Sequence, residues 1–530
     1  MNNYDVIIIG SGISGLTSAS ILSQLFKKKV LVLERHFKIG GFTHIFKRKG
    51  EHGEYHWDVG LHYVGQMDSG SPTRAMFDYV TNGKLKWKKM PDPYDVFVYP
   101  DFTFRAMEGE NYLKADLIKL FPSESFAINN YFSDLKIINR WAGRYNFSLT
   151  LKPTARNFSS HLFSKGAELA LMTVKEYLDR NFKDEKLKAV LVSQWGDYGL
   201  PPSQSSMAIH ALIVSHYISG GYYPVGGSKK IADSISPIIK DAGGELLVNH
   251  TAKKILVEKG KAIGVKTVKK EGTDFIEKEF FADKIISTVG AKITYNDLIP
   301  EEYKPEFADE IKNFPPSTAH VSLYVGLKES PEKLGIKGEN YWIFNSYNHE
   351  LIESEISSLL NGNVNSVFLS FPSFKDPEAK SHTAEIIAFA GYDSFAKWAD
   401  KPWKNRGEEY DSIKKKISEA MIEFTERHLK GFKNLIDYSE LSTPLSTEHF
   451  TGFHFGAIYG IPATPERYKV KWIGPYTHIK NLYMSGVDAF GHGIVGGLMG
   501  GALTSALVVK GLKGIPSVFK EAISYHKTLR

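Results

Sequence analysis

No cysteine occurs among the 530 residues, which excludes disulfides, thiolate metal sites, a cysteine nucleophile and attachment of a prosthetic group through sulfur. The most lipid-like stretch, Ile494 to Leu507, is punctuated by glycine and falls short of the roughly 20 apolar residues that span a bilayer. The N-terminus runs from Met1 straight into an apolar strand at Val6 to Ile9, leaving no basic region or cleavage site for secretion. Internal repeats and low-complexity tracts are missing, and no G-x-S-x-G, HExxH or P-loop match supports hydrolase or phosphotransferase chemistry. Charge is not massed: a net +7 and pI near 8.9 come from scattered lysines, so nucleic-acid binding has no footing. A cytoplasmic chain is expected, with peripheral contact on an anionic membrane as a secondary expectation.

What is present fits a large globular protein of two or three domains. Hydrophobic residues make up 42% and charged residues 24% of the chain, and mean hydropathy is -0.24. The 33 Phe, 27 Tyr and 8 Trp are enough to line a long apolar cavity, although aromatics also simply fill cores.

The apolar strands between Tyr4 and Gly41 lack in/out alternation, the pattern of a parallel sheet covered by helices on both faces. Helical periodicity dominates from about Glu124 to Tyr217. Within it, His161 to Met172 mixes apolar and basic residues and reads equally as a solvated cap helix or as one that dips into a membrane surface. Strand signals return at Glu245 to Val248 and Lys284 to Thr288, and again at Asn481 to Gly486 before a glycine-rich turn. The expected fold class is α/β. Residues 1–75, 217–300 and 470–530 form a discontinuous Rossmann-like domain, 76–123 and 301–469 a mixed α+β substrate domain, and 124–216 a helical cap. The substrate domain should hold strands at Ala319 to Gly326 and Val364 to Ser370 and a helix from Tyr410 to Leu429.

Gly10-Ser11-Gly12-Ile13-Ser14-Gly15 follows a strand and opens a helix. The first glycine permits a tight turn, the second lets backbone amides approach a pyrophosphate, and the third allows helix and strand to pack closely. Glu34 ends the next apolar strand about 20 residues on, where a carboxylate accepts hydrogen bonds from ribose hydroxyls. The pair Gly40-Gly41 then lets backbone pass close to a cofactor, as where FAD rather than NAD is bound. No second strand–glycine turn–helix unit is visible, so electrons must reach the flavin directly or from another protein, and the donor is open. His52, His56 and Asp58 have a spacing that converges only on a helix, whereas Gly53 and Trp57-Asp58-Val59-Gly60 argue for strand and turn; no metal site is expected.

Further blocks extend along the chain: Trp57 to Gly65, Gly220-Gly221-Tyr222-Tyr223-Pro224-Val225-Gly226-Gly227, Ala282 to Thr288, Thr443 to Thr447 with Gly456 to Gly460, and Leu482 to Gly501. With Tyr4 to Gly41 they resemble the flavin amine oxidase and phytoene desaturase superfamily, and within it the branch of retinol saturase and carotenoid isomerase. The resemblance implies that Gly10, Ser11, Gly12, Ser14 and Gly15 hold the diphosphate of FAD and that Glu34, with Arg35 beside it, meets the adenosine ribose. Gly40 and Gly41 would pass close by, backbone at Ala252 would meet the adenine, and Asp488 the ribitol or diphosphate. Gly60, Leu61 and His62 would lie near the flavin, with Ile494, Val495 and Gly496 against the isoalloxazine. Phe42, Ala252 and Val495 depart from the usual basic residue, valine and proline.

By the same resemblance the substrate is a lipophilic polyene, a retinoid or carotenoid, and the reaction saturates a C=C bond. Isomerisation or desaturation is the alternative, and a flavin-free lipid carrier like the Rab GDP dissociation inhibitors is a second. Saturation needs a hydride on one carbon and a proton on the other. His62 and Tyr63 are the first candidates for the acid, followed by His454, Tyr459 and His492.

Overall fold

The computed structural model describes residues 4–156, 164–271 and 274–530. Its first sheet carries five parallel strands in the order Glu245–Leu247, Val30–Leu33, Tyr4–Ile9, Asp274–Ser287 and Leu482–Met484. Val30–Leu33 is buried at every residue, as a strand covered on both faces must be. Ile8 pairs with Val32 on one side and Ile286 on the other. Asp274–Ser287 is long enough to serve twice: its first half completes an antiparallel meander with His250–Glu258 and Lys261–Glu271. The helix Ile13–Gln24 crosses the C-terminal helix Gly493–Lys510 at close range, because a Cβ on Gly501 would lie 2.5 Å from the Ser14 carbonyl oxygen. This is an α/β Rossmann-like domain assembled from separated segments, joined to a mixed domain and a helical layer.

The second sheet has seven strands, ordered Ile436–Ser442, Ala319–Leu327, His382–Ala390, Ser366–Ser370, Asn340–Phe344, Asp95–Tyr99 and Phe102–Ala106. Asp95–Tyr99 enters it parallel to Asn340–Phe344, which carries residues from early in the chain into the substrate side. The helix Glu408–His428 covers one face with Ile417, Met421 and Phe424. The helical layer is led by Ser125–Leu149 and Met207–Tyr217.

Three local features differ from the sequence reading. The hairpin Ile45–Lys49 and Glu54–Asp58, assigned by chain position to the nucleotide domain, packs on the second sheet: Trp57 Nε1 donates to the Val325 carbonyl at 3.1 Å and Arg48 pairs with Glu440 at 2.6 Å. Within His161–Met172, residues 161–163 lie outside the described residues; beyond them Gly166, Ala167 and Ala170 of Lys165–Ala170 turn inward, and a Cβ on Gly166 would touch Trp141. The described apolar residues of that segment, Ala167, Leu169, Ala170, Leu171 and Met172, pack on the core. Finally, Gly493–Thr528 is the one helical stretch among the described residues long and apolar enough to cross a bilayer, but 56% of its apolar window is buried, as befits a core helix.

Candidate active site

One continuous cavity of about 1010 Å³ runs from the glycine turn after Tyr4–Ile9 to a pouch between the two sheets. Two helix N-termini open onto it. Gly12 caps Ile13–Gln24 and Gly493 begins Gly493–Lys510, and neither has an atom within 4 Å of the point where a Cβ would project. Neither helix has an acidic residue in its first turn, so free N–H groups and the positive dipole ends face space that an anion can fill.

Glu34 closes one end of this cradle. Its Oε2 accepts the Ser11 N–H at 3.0 Å and the Ser11 hydroxyl at 2.6 Å, while Oε1 accepts the His36 N–H at 2.7 Å. Gly10, Ser11, Gly12, Ser14, Glu34, Arg35, Gly41 and Ala252 all line the wall here, and Gly60, Leu61, Ile494, Val495 and Gly496 line it further in. Three expected contacts stand behind the wall. Gly15 is pressed against Gly10, and Gly40 turns the chain at φ +127° while donating its N–H to Ser11 Oγ. Asp488 is 3% exposed and its oxygens are taken by the N–H groups of Ala291 and Ile461, both at 2.7 Å, with Arg467 at 3.9 Å. Its carboxylate ties the Gly486 turn to two loops, so its place is a positioning one. Room at both helix ends and a carboxylate at the far one fit a dinucleotide.

Beyond the cradle the wall becomes polar in one patch and aromatic elsewhere. His62 Nδ1 lies 2.9 Å from Glu385 Oε2, out of line for a hydrogen bond, and both Glu385 oxygens are buried without a hydrogen-bond partner. Burial and the nearby Lys375 ammonium push His62 down to about 4. Burial lifts Glu385 to about 8 and Asp58 to about 7, and pulls Lys375 down to about 7 against its carboxylate neighbours. Lys375 donates to the His62 carbonyl at 3.0 Å, to Asn340 Oδ1 at 2.5 Å and to Ser370 Oγ at 2.7 Å. Tyr63 sends its hydroxyl the other way, between Asp95 and Asp197.

The remaining acid candidates also reach the cavity but are otherwise engaged. Tyr459 donates to the Gly196 carbonyl at 2.9 Å, and His492 faces the Ile461 carbonyl at 2.9 Å, with burial pushing it down to about 3. His454 is raised by its 2.9 Å contact with Asp297 and sits half-exposed. The metal trio does not converge: His52 turns to Asp437, His56 to Glu54, and Asp58 accepts from Ser228 N at 2.8 Å and from Tyr223.

Residues 13–418 match the flavin containing amine oxidoreductase family. The chain belongs to that family. It is an FAD-dependent oxidoreductase. Among relatives of this flavin oxidoreductase, all-trans-retinol 13,14-reductase of Danio rerio is 32% identical over 96% of this chain and 86% of its own length. Chloroplastic prolycopene isomerase of Arabidopsis thaliana is 28% identical over 93% of this chain and 80% of its own. Among solved structures, wild-type putrescine oxidase bound to putrescine superposes with a TM-score of 0.61 at 13% identity, covering 96% of this chain and 99% of that one. The fold is thus that of a flavin oxidase, while the sequence likeness runs to the retinol saturase and carotenoid isomerase branch.

The polar patch of Asp58, Asp95, Asp197, Lys375 and Glu385 was not anticipated from sequence. Glu385 carries the one readable signal, an acid in the middle of the apolar strand His382–Ala390.

Proposed function

We propose that this flavoenzyme reduces a C=C bond of a long apolar polyene of the retinoid or carotenoid class. One observation carries the reading beyond the family likeness: the cavity that begins at the dinucleotide turn continues past His62 into a pouch walled by Trp195, Tyr217, Trp342, Phe344, Phe368 and Phe389. A flat conjugated chain matches aromatic walls, and a pocket that is apolar with a few convergent polar groups is the usual form of a small-molecule site.

The division of labour follows from the wall. The N-terminus before Ile13 holds the diphosphate, Glu34 takes ribose hydroxyls, and Gly60 and Leu61 with Ile494, Val495 and Gly496 at the second N-terminus line the space for the ring. FAD, when bound, supplies hydride chemistry. His62 is a neutral imidazole at neutral pH, so its part is to orient a ligand in concert with Glu385 and not to give up a proton unaided. Among the described residues there is no second glycine-turn nucleotide unit, and the electrons are proposed to come from an external donor. Peripheral contact with a lipid surface is in keeping with the exposed Phe126 and Phe147 beside Lys136, Arg140 and Arg144 on Ser125–Leu149.

The test is a product mass. Protein loaded with FAD, reduced anaerobically and incubated with retinol, carotene and unsaturated lipid panels should yield a product heavier by two hydrogens. Unchanged mass with altered retention would make it an isomerase, the reading favoured by the prolycopene isomerase relatives. A colourless protein that takes up no added FAD would leave only the carrier reading.

A further inference from the structure

Asp95 and Asp197 stand on opposite sides of one phenol. The Tyr63 hydroxyl lies 3.0 Å from Asp95 Oδ2 and 3.0 Å from Asp197 Oδ2. A tyrosine has a single O–H hydrogen to give, so with both carboxylates ionised one of them would face a lone pair across that distance in a desolvated site. The donors decide which is the anion. Asp95, with no exposure to solvent, also receives Gln194 Nε2 at 2.7 Å, Asn340 Nδ2 at 2.9 Å and Trp342 Nε1 at 3.3 Å. Asp197 has the Tyr63 hydroxyl as the sole hydrogen-bond partner of its side chain among the described residues, and it opens on the cavity. Burial raises both carboxyls, but at Asp95 the Asn340, Gln194 and Tyr63 donors and the Lys375 charge oppose it, so Asp95 is the one of the pair that ionises first. Burial and that neighbouring negative charge then keep Asp197 un-ionised well above the usual carboxylate range.

We propose that Asp197 is the proton donor of the reaction, that Tyr63 stabilises the carboxylate it leaves, and that Asp95 is the positioning residue that holds Tyr63. The proposal rests on the polyene reductase reading. One carbon of the double bond would receive a hydride with its electron pair, chemistry that FAD would supply when reduced by an external two-electron donor. At the other carbon the former π pair takes the proton as the Asp197 O–H bond breaks, leaving a saturated bond and a carboxylate. The Tyr63 hydrogen can turn from Asp95 to that carboxylate with no movement of heavy atoms, since both oxygens are 3.0 Å away. Water reaching the cavity returns the proton. The groups around Asp197 that bear on its charge are Asp95, Tyr63, Tyr94, Tyr198, Tyr217 and Tyr459, with Lys375 farther off against Asp95; the rest of those that line the pouch are phenols, far weaker acids, and Asp197 is the carboxyl among them that lines it.

The experiment uses the FAD-loaded protein, its Asp197→Asn variant and its Asp197→Glu variant, with all-trans-retinol and carotene as probes. After anaerobic reduction by dithionite, single-turnover formation of the saturated product should fall about a hundredfold or more in Asp197→Asn, the size of a lost general acid. It should recover in part in Asp197→Glu. FAD occupancy and quenching of retinol fluorescence on binding should not change. Independently of turnover, the infrared difference between wild type and Asp197→Asn at pH 7 should contain the carbonyl band of an un-ionised carboxylic acid. An undiminished rate in Asp197→Asn overturns the proposal, as does an ionised-carboxylate band in that difference spectrum. A wild type that binds FAD and shows the carboxylic band but reduces none of the probes overturns the reductase reading, and the donor role with it; inactivity of the wild type itself tells this failure from the other two.

Discussion

A Cβ on Gly15 would lie 2.1 Å from the carbonyl oxygen of Gly10. The same relation recurs at the C-terminal helix, where a Cβ on Gly496 would lie 2.2 Å from the carbonyl oxygen of Gly491. Both turns feed a helix end into the cavity, and in both the clash is with backbone, which has no rotamer to escape by. Gly15→Ala should therefore lower stability by about 1–3 kcal/mol, the range for overpacking a tight site, and reduce bound flavin as the turn is displaced. Thermal melts and flavin absorbance per protein check this; a variant with wild-type values in both would show that the turn has slack.

Gly12 presents the opposite case. Nothing lies within 4 Å of its would-be Cβ, and its backbone at φ -61° suits any residue. Gly12→Val should fold with stability within about 0.5 kcal/mol of wild-type apoprotein, as surface substitutions do, yet exclude FAD from the space the side chain enters. Comparing apoprotein melts with flavin titration separates the two effects, and retention of FAD at wild-type affinity would place the diphosphate elsewhere.

Two carboxylates that look alike in sequence should fail differently. Glu34 holds Ser11 and His36 at the rim of the cradle, so Glu34→Ala should weaken FAD binding by about 1.5–3 kcal/mol, some ten- to hundredfold, as for a hydrogen bond to a charged group. Asp488 holds Ala291 and Ile461 behind the wall, and Asp488→Ala leaves buried N–H groups orphaned at about 1–3 kcal/mol each. Its first symptom should be a lower melting temperature of the apoprotein. Calorimetry and flavin titration on both variants check the contrast, and an equal loss of FAD affinity with no loss of stability in Asp488→Ala would return that residue to direct contact.

The cradle was legible because its chemistry is local. Gly10 to Gly15 and Glu34 are joined by one helix and one strand, and the turn, anion site and acid follow from spacing alone. The polar patch was not, because residues 95, 197, 375 and 385 meet only when Asp95–Tyr99 inserts beside Asn340–Phe344 and the loop after Glu185–Leu191 brings Asp197 to Tyr63. The hairpin at Ile45–Asp58 was misassigned for a related reason: Phe46, Tyr55 and Trp57 reveal an apolar face but not which sheet it covers. Asp488 shows the limit of motif transfer, since the motif locates the residue but not where its oxygens point.

Glu385 gives a test of the patch that needs no substrate. Its folded value of about 8 lies above the ordinary 4.5, so between those values the native state retains a proton that the unfolded chain has released. Stability then falls with rising pH across that window, because the unfolded state binds fewer protons. Below about 4.5 the group is neutral in both states and contributes no slope; above about 8 the loss is complete. Glu385→Gln is neutral throughout and removes this contribution while leaving the other titrating groups of wild type in place. Wild type should therefore match Glu385→Gln most closely near pH 4.5 and fall behind it steadily to pH 8, in denaturant melts run in parallel on both proteins. A gap that does not widen over that range would mean that Glu385 is ionised in the folded protein, and the 2.9 Å approach of His62 would then be an ion pair instead of a contact between a neutral imidazole and a neutral acid.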